Sequence, residues 1–310
     1  MSITKIKTAN RDEWKELRSH YIGGSDAAAV VGLNRFSSPY SLWAEKTGKV
    51  QGFEGSLATE VGTYLEEFVA QKFAAETGKK VRKCNYSMVN SLYPFAIANI
   101  DREIIGEDAG LEIKTTDTLN LKLFKNGEYP ANYYCQCVHY MAVTGKSRWY
   151  LAVLIGNREF KTFTIERDQA EIDALMQSEA EFWKLVETDT PPAVDGTKAT
   201  TDAITEAYDT SDNTEVDLSA FNASLMQYQL LRNRIKELEA DAQEQLNAVK
   251  SFMGSSGSGR SDNFRISWKT QSKRYFDSKR FAEENPDIDI DDYYNTTTSR
   301  VFRVTELKGE

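Results

Sequence analysis

The spacing of apolar and polar positions divides the chain into a helical first third, an alternating middle and one long amphipathic helix near the end. Asn10, with Glu13 three positions on, has the form of a capping box and predicts a first helix. Gly23-Gly24-Ser25-Asp26 opens an Ala- and Val-rich helix that ends near Gly32. Ser38-Pro39 starts another through Leu42 and Trp43, with Gly48 just past its end. A longer helix is predicted from about Ser56 to Thr77, closed by Gly78.

From about Lys80 the period becomes two. Phe95, Ile97, Asn99 and Asp101 fall on one face of a predicted strand, with Ala96, Ala98 and Ile100 on the other. The turn-rich residues Gly106 to Gly110 separate it from Leu111-Glu112-Ile113-Lys114-Thr115, and the two strands read as a hairpin. A helix is expected around Tyr133 to Val143. Arg148 to Ile155 and Glu159 to Ile165 flank Gly156-Asn157, a second hairpin signal. Asp168 to Thr188 reads as helix and stops before Pro191-Pro192.

The polar stretch from Pro191 to about Thr214 reads as loop. Beyond it Phe221, Leu225, Tyr228, Leu231, Ile235, Leu238, Ala242, Leu246 and Val249 recur at spacings of three and four, which predicts one long helix. Gly254 to Gly259 reads as a flexible break. The last fifty residues alternate at Phe264, Ile266 and Trp268 and finish with Val301-Phe302-Arg303-Val304, two expected strands. The pattern gives an α+β chain: a first domain over residues 1–196, an irregular linker over 197–216, and a C-terminal extension over 217–310.

Composition narrows the class. With 40% apolar and 27% charged residues the chain is an ordinary globular one. No apolar run reaches membrane-spanning length and the polar N-terminus has no signal-peptide core, so no membrane association is expected. Three cysteines cannot all pair, which suits a reduced cytoplasmic setting. The net charge of -9 argues against a global attraction to nucleic acid. Residues 187–244, however, hold 13 acidic and 4 basic side chains, so the rest of the chain is neutral. Any DNA contact would be a local basic surface.

Chemistry concentrates at Asp101, Glu112 and Lys114. In a strand Glu112 and Lys114 share a face while Leu111 and Ile113 enter the core. A closed hairpin would bring Asp101 to the same side. Phosphodiester hydrolysis requires a hard divalent cation held by carboxylates, and a cation that polarises water or stabilises the phosphorane. This trio supplies those parts; on spacing alone, a solvated hairpin face with a Glu–Lys pair is the better reading, because the spacing is common. Upstream, Gly24-Ser25-Asp26 at a helix start offers N–H groups and a hydroxyl to an anion, and Arg18 a charged fork. An ordinary N-cap with a surface arginine has the same pattern. Cys135 and Cys137, with Cys84, fall short of the four cysteines of an iron–sulfur cluster and read as buried thiols. Trp14, Trp43, Trp149 and Trp183 read as core.

In order and spacing these pieces resemble the YqaJ-like viral recombinase family, the phage exonucleases typified by lambda exonuclease. Arg18, Ile22-Gly23-Gly24-Ser25-Asp26, Ser38-Pro39, Leu42-Trp43 and Lys46-Thr47-Gly48 match its opening. Gly62 to Glu66 matches a G-x3-E helix, Ala98 to Asp101 and Leu111 to Lys114 the PD-(D/E)xK elements, and Gln136 with Tyr140 a glutamine helix. Phe182-Trp183, Pro191-Pro192 and Asp195-Gly196 resemble the segment that closes the nuclease domain. The resemblance implies a restriction-endonuclease-like α/β/α core, a mixed sheet flanked by helices. It also implies a metal-dependent exonuclease that degrades one strand of duplex DNA from the 5′ end and leaves a 3′ overhang. An endonuclease or nickase on the same fold, or a non-catalytic DNA-end-binding module, are the alternatives.

By the same resemblance Asp101, Glu112, the Ile113 carbonyl and Glu66 bind Mg2+ or Mn2+, two ions per site with substrate, and Lys114 assists the attacking water. Arg18, Ser25, Gln136 and Asn99 adjoin the 5′ phosphate. Double-stranded DNA ends, a single-strand-annealing protein and a homotrimer are the implied partners, in a phage or prophage protein of a bacterial cytoplasm. Two positions depart from the family pattern: Arg102 stands where glycine usually follows the metal aspartate, and Asn99 where a small residue is usual.

Overall fold

Two sheets, joined at Asp101 and wedged apart by one helix, organise the larger of the two units into which this computed structural model divides; residues 2–212 and 214–305 are described. The first unit runs to Asp209. Its elements are β1 (Ile3–Ile6), α1 (Arg11–Ser19), β2 (Ile22–Gly23), α2 (Gly24–Val30), α3 (Pro39–Lys46), α4 (Leu57–Thr77), β3 (Val81–Lys83) and β4 (Ser87–Asn90). They continue with β5 (Tyr93–Ala98), β6 (Arg102–Ile104), β7 (Ala109–Thr116), α5 (Ala131–Thr144), β8 (Arg148–Ile155), β9 (Glu159–Glu166), α6 (Gln169–Glu187) and α7 (Lys198–Ala207). Side chains set most helix starts. Asn10, Ser38, Ser56 and Asp168 each accept the backbone N–H three residues on, satisfying a donor that has no partner within the helix.

The larger sheet has the order β3-β6-β7-β8-β9, with β7 and β8 parallel and the other pairs antiparallel. Leu111 and Ile113 of β7, with Tyr150 and Ala152 of β8, pack against Val69, Ala70 and Phe73 of α4. On the opposite face Trp149, Leu151 and Val153 of β8 pack with Val138, Met141 and Ala142 of α5. The smaller sheet has the order β1-β4-β5-β2. Its Ala96 and Ala98 join the same core, so α5 is held between the two sheets. A third apolar cluster joins Ile22, Trp43, Phe182 and Ala203.

The expected hairpin between the strand at 95–101 and that at 111–115 does not form. β7 pairs with β6, while the strand through Phe95 and Ile97 pairs with β4 and β2 in the smaller sheet. Asp101 therefore lies in the crossing between sheets. The residues expected as an irregular linker over 197–216 include α7, capped by Thr197 and anchored by buried Thr200 and Ala203. Two inward positions are too few to produce a recognisable apolar period. β1 is a further addition, recruited to the edge of β4 by backbone pairing.

The second unit comprises α8 (Asn222–Met253), β10 (Ser258–Arg260), β11 (Arg265–Ser267) and α9 (Ser278–Glu284). The long helix matches its predicted period. The Gly/Ser run is not a simple break, because its end pairs as β10 with β11. Val301 to Val304, expected as a strand, pairs with no other strand. Among the described residues no helix is long and apolar enough to cross a membrane.

Candidate active site

β7 brings the first two chemical groups together. Its odd positions face α4, so Glu112 and Lys114 face α5. The Lys114 Nζ lies 2.6 Å from the Glu112 Oε1 and donates to the Gln136 Oε1 at 2.8 Å. Gln136, on α5, donates through Nε2 to the same Glu112 oxygen at 2.7 Å and to the Tyr140 hydroxyl at 2.9 Å. Tyr140 in turn donates to the Asn99 carbonyl at 2.9 Å. Asp101 is tied to β7 from the other side: its Oδ2 accepts the Ile113 N–H at 2.7 Å. The backbone N–H of Ile113 thus ties Asp101 to β7.

Electrostatics makes this a strained set of charges. Burial, and then the neighbouring Glu112 carboxylate, raises the Asp101 carboxyl well above the usual range. Glu112 is also raised, mainly by burial. Burial alone would lower the Lys114 ammonium, but Glu112 and Asp101 hold it above its ordinary value. Lys114 and Gln136 both meet Glu112 at Oε1; its Oε2 is buried and has no hydrogen-bond partner among the described residues. Buried carboxylate oxygens are costly to leave unmatched. Two converging buried carboxylates, one with an orphaned oxygen, are the donor set a hard divalent cation takes.

Glu66 and Asp101 line a cleft of roughly 390 Å³, together with Trp14, Lys83, Tyr86 and Asn99. Asn99 is fixed there, its Oδ1 accepting from the Trp14 Nε1 at 3.1 Å and from the Ser87 Oγ at 2.5 Å. Glu66 is preferred over Glu67 as the cleft-facing carboxylate; the Glu67 side chain is largely exposed. Glu66 is also engaged by cations. It bonds the guanidinium of Arg102 and lies 4.0 Å from the Lys83 Nζ. Among the described residues no three carboxylate, imidazole or thiolate side chains form a ready-made cation cage.

Arg18 and Ser25 meet at a second cluster. Arg18 Nη2 donates to the Ser25 Oγ at 2.5 Å and to the Asp26 Oδ1 at 2.7 Å. Lys46 lies 3.0 Å from the other Asp26 oxygen, which also accepts the Gly23 N–H at 3.0 Å. The Gly23 N–H, just ahead of the Gly24-Ser25-Asp26 group expected to face an anion, is therefore already used. The recorded Arg18 bonds both leave from Nη2, so its remaining N–H groups are not spent on this cluster. Gln136 stands with Lys114 rather than with Arg18. Tyr140 links the two regions, packed so closely under α2 that a Cβ on Gly24 would come within 2.5 Å of its ring. Asp26 and Lys46 were not singled out by sequence reasoning. The capping spacing from Gly23 to Asp26 was readable, whereas Lys46 arrives from a separate helix.

The remaining candidates are structural. Cys135 and Cys137 are buried free thiols, and burial raises the Cys137 thiol well above its ordinary value. His139 is buried between Glu179, 2.9 Å from its Nδ1, and the Ile97 carbonyl. Trp43 and Trp149 are core, while Trp14 and Trp183 are partly exposed.

A mixed sheet carrying Glu-x-Lys on a central strand, with an aspartate at its mouth, defines the PD-(D/E)xK class of fold. A solved alkaline exonuclease, LHK-Exo from Laribacter hongkongensis, shares that fold at 21% identity and a TM-score of 0.50, over 58% of this chain and 94% of that one. LHK-Exo in complex with dAMP aligns over the same shares at 22% identity and a TM-score of 0.51. The chain belongs to the YqaJ-like viral recombinase family. The family domain matches residues 13–147. The uncharacterized protein YqaJ of Bacillus subtilis (strain 168) is 38% identical over 292 residues, which is 92% of each chain.

Proposed function

We propose that this chain is a magnesium-dependent DNA exonuclease that degrades one strand of linear duplex from its 5′ end and leaves a 3′ single strand. The observation that carries the reading is the buried pair Asp101 and Glu112, with the unpartnered Oε2, beside Lys114, Asp101 itself lining a cleft. Family membership and the exonuclease fold relatives support it.

Asp101 and Glu112 would hold the cation. Mg2+ or Mn2+ bound there supplies Lewis-acid polarisation of the phosphate and a more acidic water. Lys114 keeps its proton because two carboxylates face it, so it acts as a fixed positive charge for the attacked phosphate. Gln136 bonds both Lys114 and Glu112 and locks their relative position, with Tyr140 behind it. Arg18, using the donors not given to Ser25 and Asp26, would take the terminal 5′ phosphate. Delivery of the 3′ strand to an annealing protein, and assembly as a trimer around duplex, complete the proposal on the family resemblance alone.

Lys114→Ala tests the centre. Mg2+-dependent digestion of linear duplex is expected to fall by about 100-fold or more, with far-UV circular dichroism unchanged. Digestion at the wild-type rate by that variant would overturn the assignment. For the end preference, Arg18→Ala is expected to slow digestion of 5′-phosphorylated ends more than of 5′-hydroxyl ends; equal slowing removes Arg18 from a phosphate pocket.

A further inference from the structure

Arg102 is 2% exposed, yet it contacts two residues that line the cleft, Glu66 and Asp101. It is the first residue of β6, paired with Lys83 of β3 on one side and Leu111 of β7 on the other. Its backbone is therefore fixed from both sides. Its Nη1 donates to Glu66 and, at 2.7 Å, to the carbonyl of Asp101. Its Nη2 donates to the Glu67 Oε2 at 3.0 Å. A buried guanidinium is tolerated only when its charge and its donors are matched, and here two adjacent carboxylates of α4 and one carbonyl do so.

The consequence falls on Glu66. Its carboxylate already faces two cations, Arg102 in direct contact and Lys83 at 4.0 Å. A carboxylate so neutralised is a poor ligand for another positive ion, and a metal placed at Glu66 would be repelled by the adjacent guanidinium. Asp101 and Glu112 have the opposite character. Neither carboxylate is paired with an arginine, Asp101 lines the cleft, and one buried Glu112 oxygen has no hydrogen-bond partner among the described residues.

We propose that Arg102 is a built-in cation at the place where Glu66 would otherwise bind a second metal ion, so that the site takes one divalent cation, on Asp101 and Glu112. Glu66 and Glu67 then serve to position Arg102 and to join α4 to β6. This rests on the nuclease reading given above, and it departs from a two-ion site with Glu66 as ligand.

Mn2+ titration of the full-length protein bound to a non-hydrolysable linear duplex, corrected for Mn2+ taken up by the duplex alone and followed by electron paramagnetic resonance and calorimetry, separates the possibilities. Wild type is expected to bind one Mn2+ per chain, and Glu66→Gln to keep that stoichiometry. Arg102→Met is expected to raise it from one to two, and Arg102→Met with Glu66→Gln to return it to one. Two ions on wild type, one of them lost in Glu66→Gln, would overturn the proposal, as would one ion on folded Arg102→Met. If Arg102→Met does not fold, the wild-type and Glu66→Gln titrations decide alone. Failure of the nuclease reading is distinct: wild type would bind no Mn2+, or Glu112→Gln would bind it as wild type does.

Discussion

Asp26 shows how a single residue can organise a region that the sequence presents only as a helix start. It is buried, and burial by itself would raise its carboxyl. Arg18, Lys46 and the Gly23 N–H outweigh that and hold it below the usual carboxylate range. A carboxylate with a depressed folded pKa contributes stability above its unfolded value of about 3.9, and that stability is lost as pH falls through the folded value. Asp26→Asn is therefore expected to cost roughly 3 kcal/mol at neutral pH, because it leaves two cations poorly matched. The difference from wild type should shrink below about pH 4, where the unfolded chain of the wild type takes up the proton. Urea unfolding across that range checks it, and a difference independent of pH would contradict it. Legibility at this scale followed spacing. Glu112 and Lys114 were readable because strand neighbours two apart share a face. The bond from Arg102 to Glu66 was not, because no local period relates the start of a strand to a helix 36 positions earlier.

At the scale of elements, β7 is the member on which both core and chemistry depend. Its α4-facing positions are apolar, and its α5-facing positions are Gly110, Glu112 and Lys114. Gly110 pairs in register with Trp149 of β8, and a Cβ there would lie 2.3 Å from the indole ring. That ring packs on Tyr140, with centroids 5.3 Å apart, and Tyr140 supports Gln136. Gly110→Ala is thus expected to destabilise the fold by about 1 to 3 kcal/mol. It should also slow DNA digestion, through displacement of Trp149 and Tyr140. Thermal unfolding and a rate measurement test the two effects together; an unchanged melting temperature would contradict the packing account. Helices with a polar cap and an apolar stripe were readable from sequence, as α4 and α6 show. The partner of β5 was not, because alternation identifies a strand without saying which sheet receives it. α7 escaped because only Thr200 and Ala203 turn inward.

On the scale of the whole molecule, net charge says little about function. The acidic excess lies in residues 187–244, at the end of the first unit and the start of the second. The candidate site instead combines Arg18, Lys46, Lys83, Arg102 and Lys114 with a few buried carboxylates. A reading by overall charge would have rejected a DNA partner, whereas the order of the motifs pointed to one. The Glu112 and Lys114 pair was legible because it depends on strand geometry, whereas the fold class and the place of Asp101, in the crossing between two sheets, followed only from the family resemblance. Whether the centre works from an end is a property of how duplex is presented to it.

The most direct measurement supplies wild type and Lys114→Ala with Mg2+ and two duplexes of one sequence, one linear and one covalently closed. Wild type is expected to degrade the linear duplex and to leave the closed circle intact, while Lys114→Ala degrades neither. Cutting of the closed circle at a comparable rate, or digestion of linear duplex that is indifferent to Lys114, would contradict the account.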